Sequence, residues 1–301
     1  MAMLRRCYEK ALLRVNRPLW RRLPAHVREL HAVQGYGRWL HVLTSRNADR
    51  EMFVGTLFLR NRPALELIRR LFAGRPQGST VRIAVLGCSV GVEVYSIVWT
   101  LRRARPDLTV LVDALDISPE VLAIAEEGVY GPQTSEAVHA SIFEQMSEAE
   151  LYEMFDWNGD QGRIKAWLKE GITWRLGDAT DARLLEELGL KDLVVANNFL
   201  CHMDAPLAER CLRNFSELTS PDGYLFVSGV DLDVRTNVAI DLGWEPVPEL
   251  MAEIHDGDPL VRADWPFHWW GLEPFDRERK DWQTRYASVF RVERRARMQA
   301  T

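Results

Sequence analysis

An α/β fold, with a mostly parallel sheet covered by helices on both faces and preceded by a small helical domain, is predicted by three observations. From about residue 80 to 230, short apolar runs alternate with stretches of helical periodicity. The first of these runs ends in a glycine turn that leads directly into a helical pattern. Residues 1 to about 76, by contrast, carry helical patterning and no strand signal, and they close at the break Gly74-Arg-Pro-Gln-Gly78.

Taken in order, the strand candidates are Val81–Leu86, Thr109–Leu115, Ile172–Leu176, Leu193–Ala196 and Tyr224–Ser228. Helices are expected near Val92–Arg103, Pro119–Glu127, Ala182–Glu187 and Pro206–Leu218. The stretch Tyr130 to Glu170 interrupts this rhythm and is expected to be a helical excursion. Residues 77–301 form the second expected domain. It carries a tryptophan-rich extension at about 231–285, with Trp244, Trp265, Trp269, Trp270 and Trp282, and finishes in a strand at Tyr286–Val292. That extension is either a lid over an apolar acceptor or simple core filling.

The first strand–turn–helix unit points to a nucleotide-like ligand. In Gly87-Cys-Ser-Val-Gly91 the three-glycine spacing that cradles a pyrophosphate is missing. The second strand ends in Asp116, a carboxylate placed to accept from the two hydroxyls of a ribose. A ligand with a ribose and no phosphate is expected, and S-adenosylmethionine (SAM) fits that description. The third and fourth strand ends carry Gly177-Asp178-Ala179 and Asn197-Asn198, then Cys201-His202. Each alone could be a turn signal. Four in order on consecutive strands make a cofactor site.

Composition bounds the alternatives. The chain has 301 residues, 47% hydrophobic and 27% charged, enough for a full core. No apolar run approaches the roughly 20 residues that span a bilayer, and the cationic start lacks the apolar segment of a signal peptide. Cys7, Cys88, Cys201 and Cys211 show no metal-ligand spacing and are read as free thiols in a reducing cytoplasm. No metal is expected. Charge is uneven: residues 1–76 hold 16 Lys/Arg against 5 Asp/Glu, within a chain of net charge −5. This basic helical front end is either a solvated face or a contact for an acidic protein or phosphate-rich partner.

Several ordered segments resemble the chemotaxis receptor glutamate methyltransferases, the CheR family, from about Val54 to Gly229. Thr56-Leu-Phe-Leu-Arg60 is similar to that family's Thr-x-Phe-Phe-Arg segment, and Gly87-Cys-Ser-Val-Gly-Val-Glu-Val-Tyr-Ser96 to its Gly-Cys-Ser-Thr-Gly-Glu-Glu-Pro-Tyr-Ser loop. Asp116-Ile-Ser-Pro-Glu-Val-Leu122, Gly128-Val-Tyr130, Asn198-Phe-Leu-Cys-His202 and Pro221-Asp-Gly-Tyr-Leu-Phe226 follow in the family's order. The resemblance implies a Rossmann-like class I methyltransferase sheet that binds SAM and yields S-adenosylhomocysteine. It places Thr56 and Arg60 over the methionine end, with the Arg60 guanidinium near the cofactor carboxylate or the substrate. Gly87, Cys88, Ser89, Gly91 and Glu93 would contact the cofactor from the first turn, and Asp116 with Ile117 from the second strand. Asp178 and Ala179 would flank the adenine, and Asn197 and Asn198 would close the site near the transferable methyl.

Departures from the family pattern shape the expected reaction. His202 stands where the family has a tyrosine, Asn197 where it has an arginine, and Val92 where it has the loop's first glutamate. A carboxylate acceptor is already ionised at neutral pH, whereas a hydroxyl or amine must lose a proton, for which histidine is the usual base. His202 therefore favours a cytoplasmic methyltransferase acting on an oxygen or nitrogen of a small-molecule or specialised acceptor, with His202 and Arg60 as catalytic residues. The alternatives are a protein-glutamate carboxyl methyltransferase, docked on an acidic protein by the basic helices, and a SAM-binding regulatory module without turnover. No membrane contact is expected, and nucleic acid is disfavoured because the fourth strand ends without an Asp/Asn-Pro-Pro-aromatic turn.

Overall fold

The computed structural model describes residues 2–28, 30–48, 55–132, 134, 141–257, 265–269 and 272–293. Two compact units result, Met1–Glu51 with Asp258–Trp282, and Met52–Gly257 with Gln283–Thr301.

The first unit holds helices α1 (Ala2–Arg22), α2 (Ala25–Arg28) and α3 (His31–Asn47). The apolar face of α1 and α3 buries Trp20, Leu40 and Leu43. Trp265 meets the Trp20 ring edge-on at 5.5 Å. Asn47 on α3 donates to Glu9 on α1 at 2.8 Å, and the Arg38 guanidinium lies 3.1 Å from Asp276.

The second unit begins with α4 (Arg62–Ala73), β1 (Thr80–Leu86), α5 (Val92–Ala104), β2 (Thr109–Asp116), α6 (Pro119–Glu127) and β3 (Val129–Tyr130). Next come α7 (Glu148–Met154), β4 (Phe155–Asn158), β5 (Gln161–Ile164), α8 (Ala166–Lys169), β6 (Ile172–Leu176), α9 (Ala182–Leu188) and β7 (Lys191–Asn197). It closes with α10 (Ala205–Leu218), β8 (Thr219–Ser228), α11 (Leu232–Leu242), β9 (Glu245–Pro246), α12 (Met251–Asp256), α13 (Trp282–Tyr286) and β10 (Val289–Val292).

Among the described residues, seven strands form one sheet in the order β6-β2-β1-β7-β8-β10-β9. The strands from β6 through β8 run parallel, and β10 is antiparallel to both β8 and β9. The chain builds outward from β1 to β2 and β6, then returns to lay β7 on the other side of β1. The carboxyl ends of β1 and β7 therefore flank a topological switch point, where ligands of such sheets bind. Ile83, Val85, Val112, Leu193 and Val195 are buried between the helical layers, as continuous apolar runs of parallel strands require.

Three expectations are corrected. Residues 130–170 are not a purely helical excursion, because β3, β5 and β4 make a second, antiparallel sheet in that order beside the short helices α7 and α8. The alternation Phe155/Trp157 and Gly162/Ile164 around Gly159-Asp160 is a hairpin pattern at two-residue spacing. Residues 282–286 are helical, so the last strand starts at Val289. The division between units falls at residue 51, not 76, since α4 packs its buried Leu67, Ile68 and Phe72 into the core beneath the sheet. The tryptophan-rich extension is itself divided: Trp244 is buried against Phe290 in the second unit, Trp265 sits in the first, and Trp270 lies outside the described residues.

Candidate active site

Three strand ends converge on one hydrogen-bonded chain. Glu93, in the first turn of α5, accepts from Asn197 Nδ2 at 2.7 Å. Asn197 closes β7, and its Oδ1 accepts from the backbone N and the hydroxyl of Ser228 at 3.0 and 2.9 Å. The amide of Asn197 thus orients a carboxylate from one side and the end of β8 from the other. All three residues are half-buried.

The next residues turn sharply. Asn198 is left-handed, with φ 62°. A Cβ on Gly229 would come within 2.5 Å of the Asn198 Cα, so that close approach demands glycine. Beyond it a single 3-10 turn, Leu200–His202, carries the half-buried His202, whose backbone N donates to Phe199 O at 3.1 Å. The Phe199 ring covers Gly87, where an added Cβ would meet it at 2.7 Å. In this way the ends of β1 and β7 are held together by a ring seated on a bare backbone.

Asp116 ties the second strand end to the first. Its carboxylate accepts from Ser89 N at 2.7 Å and from Ser118 N at 3.1 Å. Ser89 is also held left-handed, at φ 49°. Such non-glycine conformations cost free energy and collect where a site is pre-shaped. A carboxylate offers about four lone-pair positions, so these two bonds leave acceptor capacity for a pair of hydroxyls. Ile117 follows Asp116, and Leu176 stands opposite Asp116 in the β2–β6 register; both side chains are exposed. Two exposed aliphatic side chains beside an acceptor pair suit a flat heterocycle on a ribose. The glycine turn holds no Lys or Arg for a phosphate. These residues fit SAM.

The remaining expected residues fall around this centre. Gly91 caps α5, and buried Cys88 has its thiol pushed up by burial and by the Asp116 charge, so it stays protonated. Asp178 accepts from Thr180 N at 2.8 Å just past β6, and Ala179 beside it is buried. Thr56 and Arg60 lie on a segment whose Leu59 N donates to Ser96 Oγ of α5 at 3.1 Å, with Arg60 donating to Gly55 O at 3.2 Å.

Phe58 fixes that segment and was not singled out from the sequence. Fully buried, it meets Tyr130 and Phe155 edge-on, each at 5.1 Å, and stacks with Phe143 at 5.9 Å. The signal was present as an aromatic between Thr56 and Arg60, but its partners come from the small sheet that periodicity did not reveal. Ser228 and Leu176 were missed for a related reason: each matters only through a neighbouring strand. In the first unit, His31, Asp276 and Glu278 bring ligand atoms within 4.8 Å of one another; Arg38 already counters the Asp276 charge, and no metal is assigned.

A parallel sheet with a carboxylate acceptor and a glycine turn free of Lys and Arg at its switch point fits the class of SAM-dependent methyltransferases. Residues 55–235 match the family model described as CheR methyltransferase, SAM binding domain, and the chain belongs to that family. It is 30% identical over 202 residues to a probable biofilm formation methyltransferase WspC of Pseudomonas putida, covering 65% of this chain and 44% of that protein. With a probable chemotaxis protein methyltransferase of Rhizobium etli the identity is 27% over 248 residues, covering 74% of this chain and 88% of that one. A chemotaxis protein methyltransferase of Listeria monocytogenes is 27% identical over 176 residues, 57% of this chain and 63% of that protein. The chain thus spans less than half the length of the WspC relative it matches. No helix among the described residues is long and apolar enough to cross a membrane.

Proposed function

We propose that this chain methylates a side-chain carboxylate, a glutamate on an acidic protein, in the cytoplasm. The observation that carries the reading is the family match over residues 55–235, together with relatives named as chemotaxis protein methyltransferases. The small-molecule acceptor expected from the sequence rested chiefly on His202, beside the departures at Asn197 and Val92 and the tryptophan-rich tail, and this support weighs against it.

SAM supplies a methyl group on a sulfonium, which is open to direct displacement without a Lewis acid. The residues of this chain supply position. Asp116 takes the ribose hydroxyls, already aligned by the amides of Ser89 and Ser118. Ile117, Leu176 and Ala179 enclose the adenine, with Asp178 accepting from its amino group. Glu93, held by Asn197, faces the cationic amino end of the methionine part. Thr56 and Arg60 cover that end, where the guanidinium neutralises a carboxylate of the cofactor or the acceptor. Asn198 and Phe199 keep water from the methyl. A carboxylate acceptor is already ionised, so alignment in a dry site carries most of the acceleration and His202 is a wall residue.

Incubation with methyl-labelled SAM and host extract, divided into protein, small-molecule and nucleic-acid fractions, tests this. Label in protein that is released by mild base as methanol is expected. Base-stable label, or label confined to small molecules, would overturn the proposal.

A further inference from the structure

The outer face of the N-terminal helices combines two features that the methyl-transfer site does not use. On α1, Tyr8, Val15 and Leu19 follow i, i+7, i+11 spacing, which aligns them in one stripe, and they are 67%, 63% and 54% exposed. On α3, Tyr36 and Trp39 are stacked at 5.6 Å and are 43% and 45% exposed. The Tyr36 hydroxyl donates to Asn16 Oδ1 at 2.6 Å, which joins this aromatic pair to α1. Exposed apolar groups in such continuity mark an interaction surface.

Exposed Arg22 stands at i+3 from Leu19 on α1, and exposed Arg46 at i+7 from Trp39 on α3, so both border this surface, while Lys10, Arg14 and Arg21 are exposed on other sides of α1. The carboxylate of this stretch is Glu9, which is buried and turned inward to Arg5 and Asn47. No other carboxylate occurs among the described residues of 2–48. The face is therefore cationic and apolar at once. Aliphatic and aromatic side chains beside long basic ones are the composition of a helix that lies in a bilayer interface, with rings at headgroup depth and cations on acidic lipids. Phosphates of a nucleic acid would meet the arginines but give Val15 and Leu19 no partner.

We infer that this face of α1 and α3 rests on an anionic membrane surface. The expectation of no membrane contact came from the absence of a spanning segment, and lying on a bilayer needs none. The inference does not depend on which acceptor is methylated.

The test is co-sedimentation of the full chain with phosphatidylcholine vesicles, with and without a quarter of phosphatidylglycerol. Binding to the anionic vesicles alone is expected, weakening as salt is raised. The double variant Arg22→Gln, Arg46→Gln should lower partitioning by roughly tenfold or more. The double variant Val15→Ser, Leu19→Ser should lower it by about tenfold, with helicity and S-adenosylhomocysteine affinity unchanged. Should that variant lose helicity, Tyr8→Ser carries the same comparison. No preference for anionic vesicles would overturn the inference. So would undiminished binding by the serine variants, or tighter retention by duplex DNA than by vesicles, since each makes the apolar stripe irrelevant.

Discussion

Asn197 donates to Glu93 at 2.7 Å across the gap between the ends of β7 and β1. The same amide accepts from Ser228, so one side chain sets both the direction of a carboxylate and the spacing of two strand ends. Asn197→Ala removes this donor to the Glu93 carboxylate. Hydrogen bonds to charged groups contribute about 1.5–3 kcal/mol, so S-adenosylhomocysteine affinity should fall by roughly 10- to 100-fold. Calorimetry on the folded variant checks this, and unchanged affinity would separate Glu93 from the cofactor.

Asp116→Ala should weaken cofactor binding at least about tenfold, through loss of the ribose acceptors and of the bonds that shape the turn at Ser89. Asp116→Asn keeps one acceptor oxygen and should lie between. The ordering wild type, Asn, Ala in calorimetric affinity is the expected result.

Gly229→Ala places a Cβ 2.5 Å from the Asn198 backbone at a φ of 59°. A destabilisation of about 1–3 kcal/mol is expected, with loss of cofactor affinity beyond what stability alone explains, because the displaced backbone carries Asn198. Denaturant unfolding and ligand titration measure the two effects separately.

A carboxylate acceptor loses no proton. His202→Tyr should therefore keep the wild-type rate within a few-fold and the same pH dependence. A drop of roughly 10²–10⁴, with disappearance of a rising limb near pH 6 to 7, would instead return the hydroxyl or amine acceptor to first place.

The Arg62 guanidinium makes two 2.7 Å bonds to Glu150, tying α4 to α7 and holding that carboxyl at about 2. The folded-state value lies below the ordinary one. The stabilisation is thus present above about pH 4.5 and lost as pH falls toward 2. Glu150 is mostly covered but Arg62 is half exposed, which screens the pair, so Arg62→Ala should lower the melting temperature by only about 1–3 °C at pH 7. The difference should close near pH 2.

Much of the parallel sheet was legible because buried parallel strands are unbroken apolar runs. Val81–Leu86 falls within β1, and Pro119–Glu127 falls where periodicity placed it. The small sheet was not legible at the same level, since β3 has two residues and β4 and β5 have four each, too short for a period to declare itself. α11 escaped for another reason: its Val, Ile and Thr content carries no clear apolar stripe. Within the site, the residues at strand ends could be read one strand at a time. What could not be read is how they join, because Ser228, Phe199 and Phe58 act on residues 31, 112 and 97 positions away or by similar distances along the chain.

Phe58 gives the small sheet a thermodynamic voice in the chemistry. Its ring is shared between Tyr130 and Phe155 on that sheet and the segment that carries Thr56 and Arg60. Anything that orders one side of this aromatic junction lowers the cost of ordering the other, and the coupling must be equal in both directions. Cofactor binding at the large sheet would then slow amide exchange in β5, and a ligand gripping the small sheet would tighten the hold on the methyl donor. The Tyr130 hydroxyl, which donates to Val90 O of the glycine turn at 2.6 Å, adds a second link, and the methyl donor and whatever touches the outlying sheet would sense each other through both.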